Sequence, residues 1–158
     1  MIEVRYDKEM LLKARQRGKR LGKLKNSHTG GRSNEFGMLG EMIVEKYTGC
    51  KICDRRDYDI IVNGLKLEVK TKKTKDRSAP RPHFECSVAA SNTRQRCDAY
   101  VFVRVSTTSN KAWICGMKKK NRFFKEAHFC RKGDRDGNYV HVADSYNIAM
   151  KKLSKFKL

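Results

Sequence analysis

Asp59, Glu68 and Lys70 stand on either side of Asn63-Gly64, a dipeptide that favours the two-residue type I′ turn of a β-hairpin. Pairing Tyr58–Val62 with Leu65–Lys70 through that turn sets Val62 against Leu65, Ile60 against Leu67 and Tyr58 against Val69. Because side chains alternate, these six residues are predicted to form one apolar face on the core. The opposite face then carries Asp57 against Lys70, Asp59 against Glu68, and Ile61 against Lys66. Asp59 and Glu68 become cross-strand neighbours with Cβ atoms roughly 5 Å apart. Two carboxylates that close repel each other, and they serve to share a proton or to hold a hard divalent cation. Lys70, on the same face, can reach an attacking water or a scissile phosphate. A cation site, a water and an ammonium on one surface are the requirements of phosphodiester hydrolysis. The plain alternative is a solvated face on which Lys70 offsets the repulsion. A lone Glu-x-Lys triplet arises by chance in any chain this charged.

The elements that must position these residues read as follows. Asp7 caps a first helix reaching about Arg17, with Met10, Leu11 and Ala14 on one stripe. His28–Gly31 reads as a loop, and Ser33 caps a second helix from about Asn34 to Tyr47, with a stripe of Phe36, Leu39, Ile43 and Tyr47. Gly37 lies one turn before Glu41 and leaves that carboxylate a path outward. Gly40 lets the helix backbone approach the sheet. After the hairpin, Thr71–Pro82 reads as a basic loop without structure, and Ser87–Arg96 as polar and partly helical. Asp98–Val105 is nearly continuously apolar, as in a strand buried on both faces. Ala112–Gly116 is a further strand. A third helix capped by Asn121 carries Phe123, Phe124 and Ala127 and stops near Gly133. Tyr139–Val142 is a short strand, and the tail after Asp144 a weak helix or strand. Nothing in the pattern divides residues 1–158 into more than one domain, with a basic N-terminal helix and arm over about residues 1–33.

Lys and Arg number 37 against 17 Asp and Glu, a formal charge of +20. Such an excess points to a polyanion partner, most commonly nucleic acid. No apolar stretch has the length of a membrane span, and Met1–Tyr6 lacks the apolar core of a signal peptide, so a soluble cytoplasmic protein without a membrane partner is expected. Cytosolic thiols stay reduced, which argues against pairing the six cysteines. Cys50 and Cys53 have the spacing of half a zinc site, but Cys86 and Cys97 are not a usual second half, and scattered thiols are the expectation.

The helix with Gly37-x-x-Gly40-Glu41, the acid Asp59 opening a strand, and Glu68-Val69-Lys70 on its hairpin partner resemble the PD-(D/E)xK nuclease superfamily, in particular its small phage-type and Holliday-junction-resolvase-like members. The resemblance runs in order over about residues 33–117. It implies an α/β fold with a restriction-endonuclease-like core, a central mixed β-sheet flanked by helices. It also implies Mg²⁺ or Mn²⁺ held by Asp59, Glu68 and Val69, with Glu41 supporting the metal or a second one, and Lys70 orienting or activating water. No Pro precedes Asp59, a departure from the motif, and Asp57 is the rival for the first acid. The implied activity is DNA hydrolysis, endonuclease in preference to exonuclease, in the host cytoplasm if the gene is a phage's. A resolvase would need a homodimer to cut two strands symmetrically.

For the substrate surface, Lys72, Lys73, Lys75, Arg77 and Arg81 follow the catalytic strand and are expected to lie along the phosphate backbone. Arg15, Arg17, Lys19, Arg20, Lys23 and Lys25 form a second basic footprint. Ser91, Asn92 and Gln95 precede the central strand, either as ordinary caps or as contacts to phosphate or water. The four histidines share no ligand spacing. Two other functions compete. One is a non-catalytic nucleic-acid-binding protein with a nuclease-like fold, and the other a basic ribosomal or RNA-chaperone type of protein.

Overall fold

The apolar run after Asp98 forms strand β5 (Ala99–Ser106), buried along nearly its whole length as a strand covered on both faces must be. The computed structural model describes residues 1–21, 34–53, 55–136 and 139–157, and builds a mixed five-stranded sheet around β5. Strand β3 (Leu65–Thr74) pairs with β5 in parallel, and β2 (Ile60–Val62) pairs antiparallel with β3. On the other side β6 (Lys111–Lys119) is antiparallel to β5, and β1 (Ile2–Arg5) closes that edge. The protein is thus α/β, and its three helices among the described residues are α1 (Lys8–Leu21), α2 (Asn34–Thr48) and α3 (Lys120–Glu126). A smaller antiparallel sheet holds β4 (Glu85–Ala89), β10 (Ser145–Ala149) and β7 (His128–Cys130) in the order β4-β10-β7. Strands β8 (Arg135–Asp136) and β9 (Tyr139–Val140) form a separate two-stranded pair.

The main sheet separates two cores. On one face Ala14 of α1 and Leu39, Ile43 and Val44 of α2 pack on Ile60, Leu67, Val69, Val101 and Val103. On the other, Tyr100, Phe102 and Trp113 meet Phe123 of α3, Val88 of β4 and Ile148 of β10. The expected helical flanks therefore hold fully on one face only. The other is covered by a small sheet together with α3, because Cys86 and Val88 alternate with more exposed neighbours and, with Ile148 opposite Cys86, make one apolar sheet face.

Gly40 permits the closest helix–sheet approach: a Cβ there would lie 1.9 Å from Thr71 Oγ1. Gly18 plays the same part between helices, since its Cβ would meet the Glu35 amide nitrogen at 2.9 Å. α1 continues past Gly18 to Leu21, beyond the expected end near Arg17. Asp7 caps it as expected, its Oδ1 accepting the Met10 amide at 2.7 Å. Several other boundaries differ from expectation. β1 is a four-residue edge strand too short to stand out. Asn121 lies inside α3, whose N-cap is Lys119, and the helix ends at Glu126 rather than near Gly133. Ser87 and Ala89 lie in β4 and only Ala90–Asn92 make a helical turn. The readings for Lys23, Lys25, His28–Gly31 and Ser33 lie outside the described residues. No helix among those described is long and apolar enough to cross a membrane.

Candidate active site

Asn63 and Gly64 adopt positive φ of 49° and 79°, as a type I′ turn requires, and the hairpin pairs Val62 with Leu65, Ile61 with Lys66 and Ile60 with Leu67. The expected register ends there. The Asp59 amide donates to the same Leu67 carbonyl, at 2.9 Å, so two residues stand opposite one in the pattern of a β-bulge. One consequence corrects the expected face. Tyr58 leaves the side of Ile60 and Leu67 and packs with the second core, its ring beneath the Lys66 ammonium at 5.6 Å. Leu65, next to the turn, is exposed instead of buried. The extra residue also takes Asp57 out of register with Lys70.

The bulge re-aims Asp59 without separating it from Glu68. Its Oδ2 accepts the Val69 amide at 2.7 Å, and Glu68 lies close enough for its charge to act on the Asp59 carboxyl. Burial, reinforced by the Glu68 charge, pushes the Asp59 carboxyl up to about 7, against the lowering effects of the Val69 amide and Lys70. Glu68 is only 6% exposed. Its Oε1 receives Lys70 Nζ at 2.8 Å and Gln95 Nε2 at 2.7 Å, and Lys70 Nζ also donates to Gln95 Oε1 at 3.3 Å. In a strand the N–H and C=O of one residue point to the same side. The Val69 carbonyl therefore faces the Asp59 side, past Ile60, where β2 supplies no further partner.

Gln95 completes the cluster, and the alternative of an ordinary cap does not describe it. The loop that carries it is tied down at several points. Lys120 Nζ donates to the Gln95 carbonyl, the Gln95 amide donates to Asn92 O at 3.2 Å, and Asp98 exchanges two 2.8 Å bonds with the Lys66 backbone. Reasoning from sequence missed Cys97, Tyr100 and Lys120. Tyr100 is the β5 residue in parallel register with Glu68, and burial raises its hydroxyl, with the neighbouring Cys97 and Glu68 adding to the rise. Burial, then the Glu68 charge, pushes the Cys97 thiol up to about 11, so it stands beside the carboxylates as a neutral group. Only a parallel β3–β5 pairing reveals these neighbours, and no local pattern specifies that pairing. No protein-family model matches this chain, and no curated protein matches it in sequence.

The remaining predicted residues are dispersed. Glu41 is half-buried on α2, which covers the face bearing Leu67, Val69 and Thr71, whereas Glu68 and Lys70 project from the other face. Glu45, one turn further along the same side of α2, accepts the Ile52 amide at 3.2 Å and so ties α2 to the outer edge of β2. Among the described residues no group of three or more His, Cys, Asp and Glu side chains is gathered as a metal cage. β3 continues to Thr74, so Lys72 and Lys73 belong to a strand rather than a loop and project to opposite faces. Lys72 Nζ lies over the Tyr139 ring at 5.8 Å and Lys73 Nζ over Phe36 at 5.0 Å. Lys75, Arg77 and Arg81 are exposed beyond the strand end. Arg15, Arg17, Lys19 and Arg20 are exposed on α1, with Arg15 Nε 2.9 Å from Glu35 Oε2. Cys50 and Cys53 are half-buried free thiols, while Cys86, Cys97 and Cys115 are buried.

Proposed function

We propose that the protein is a metal-dependent nuclease that hydrolyses DNA phosphodiester bonds at the Asp59–Glu68–Lys70 cluster. The observation that carries this reading is the carboxyl pair itself: two acids close enough that the charge of Glu68 raises Asp59, with Asp59 held by the Val69 amide and Glu68 beside a lysine held by hydrogen bonds. A sheet gains no stability from such a pair. A hard cation fits the donor set, because Asp59 and Glu68 supply two carboxylates and the Val69 carbonyl faces the same side, leaving room for water and phosphate oxygens. On this reading Asp59, Glu68 and Val69 hold Mg²⁺ or Mn²⁺, with Glu41 at most an outer support.

A bound divalent ion supplies Lewis acidity and lowers the pKa of water. The chain's own residues do the rest. Lys70 offers its ammonium to the water or to the charge that develops on phosphate, and electrostatic preorganisation of this kind lowers the barrier. Gln95 holds Lys70 and Glu68 in fixed relation, with one amide group touching both. The order of α2, the β2–β3 hairpin and β5 supports the restriction-endonuclease-like core that the motifs suggest, and the charge of +20 supports a polyanionic substrate. The test is incubation of labelled linear, circular, single-stranded and four-way-junction DNA with the protein in Mg²⁺ and in chelator. Cleavage in Mg²⁺ alone is expected. Cleavage that persists undiminished in chelator, or no cleavage of any of these DNAs, refutes the reading.

A further inference from the structure

Along β3 the residues projecting to the site face are Glu68, Lys70 and Lys72, and the row ends at an aromatic ring. Lys72 lies two strand positions past Lys70, roughly 7 Å along the chain. Its ammonium sits over Tyr139 of β9, 5.8 Å from the ring centroid. Tyr139 is 50% exposed, and its ring meets that of His141 at 5.1 Å and 81°. His141 itself is only 4% exposed, and its backbone is fixed to Gly133 and Asp134 by bonds of 2.8 and 2.9 Å. The arrangement is therefore a large ring half in water, braced by a buried imidazole, with the Lys72 ammonium over one of its faces. A π-face beside a positive charge is what unstacked nucleobases bind, whatever their sequence.

We infer that Tyr139 is a stacking platform for an unpaired base next to the cleaved phosphate, so that the site takes single-stranded or locally opened DNA in preference to intact duplex. The inference rests on the nuclease reading for what is cleaved, and on the ring, Lys72 and the charge of the chain for what is bound. In an intact duplex the base faces are already stacked on each other and unavailable to Tyr139.

The test is binding of fluorescent oligo-dT and of a hairpin duplex of equal length to the full chain in chelator, where no cutting can occur on the proposed mechanism. Tyr139→Ala should weaken oligo-dT binding on the order of tenfold, as loss of one stacked base does, and change duplex binding less than twofold. Tyr139→Phe, which keeps the ring, should bind as the unmutated chain does. Equal losses on both DNAs, no loss in Tyr139→Ala, or a loss in Tyr139→Phe as large as in Tyr139→Ala would each overturn the platform. So would a dimer of the unmutated chain that Tyr139→Ala abolishes, since the ring would then be covered by a second copy. Cleavage in Mg²⁺ is scored separately. A chain that cuts DNA while Tyr139→Ala binds oligo-dT normally keeps the nuclease and loses the platform. A chain that never cuts but shows the expected binding pattern loses the nuclease and keeps the platform.

Discussion

At the scale of the residue, Asp59 carries the clearest signature. Its carboxyl is raised from 3.8 to about 7, chiefly by burial and then by Glu68. A carboxyl raised on folding binds its proton more tightly in the folded chain, so the stability it contributes is fully present below about pH 4 and is lost as pH rises through about 7. In chelator, Asp59→Asn should therefore melt close to the unmutated protein at pH 4 and above it at pH 8. Parallel melting curves across that range would contradict the burial of an acid at this position. With Mg²⁺ the order at pH 8 should reverse, because only the unmutated site gains binding free energy from the ion. Lys70 gives the second prediction. Lys70→Ala should lower the cleavage rate by roughly a hundredfold or more while leaving metal binding in place, as loss of one preorganised charge partner does. Lys66, exposed near the turn and stacked on Tyr58, is the control, and Lys66→Ala should change the rate far less. Equal losses in single-turnover assays would remove Lys70 from the mechanism.

At the scale of the element, the contact between Gly40 and Thr71 sets how deeply α2 sits on the sheet. Gly40→Ala forces a methyl group into the Thr71 side chain, and overpacking of this kind costs about 1–3 kcal/mol. Gly37→Ala is its partner measurement. A Cβ there meets nothing within 4 Å, so the better helix former should leave stability unchanged or slightly raised in a urea titration. Both helix glycines, the hairpin turn and the apolar β5 run were legible in the sequence, because each is a local signal: a missing Cβ, a turn dipeptide, an uninterrupted apolar stretch. The bulge was not legible. Tyr58-Asp59-Ile60 alternates as a regular strand does, and only competition between two amides for the Leu67 carbonyl moves Tyr58 to the other face. Gln95 was visible as a polar residue before β5, but its place against Glu68 depends on the Asp98 and Lys120 tethers, which lie far apart in sequence. The strand continuing through Thr71–Thr74 was masked by its lysines. Their charge resembles a solvated loop, whereas pairing with β5 continues to Thr74 opposite Ser106.

At the scale of the whole molecule, the sheet is a partition, and basic residues fall on both of its sides. Lys72 shares a face with Glu68 and Lys70, and Lys73 shares the α2 face with Phe36. If DNA lies along the site face, Lys72→Gln should reduce the slope of log affinity against log salt by about one counterion's worth, and Lys73→Gln by much less. Identical slopes for the two variants would mean that the excess positive charge acts as a diffuse field rather than along a track. The same partition ties the chemistry to the fold through a single strand. Leu67, Val69 and Thr71 face the helices, while Glu68, Lys70 and Lys72 line the proposed site, so that row cannot loosen without disturbing the helical core. Functional segments are often drawn from the regions of a protein that open most readily; here the row lies on a strand paired with β5 along its length. The amide protons of Glu68, Lys70 and Lys72, which point toward β5, should consequently exchange with deuterated solvent only through global unfolding. Their exchange should track denaturant stability, and heating should abolish cutting and folded structure in one step, with no inactive folded state between them.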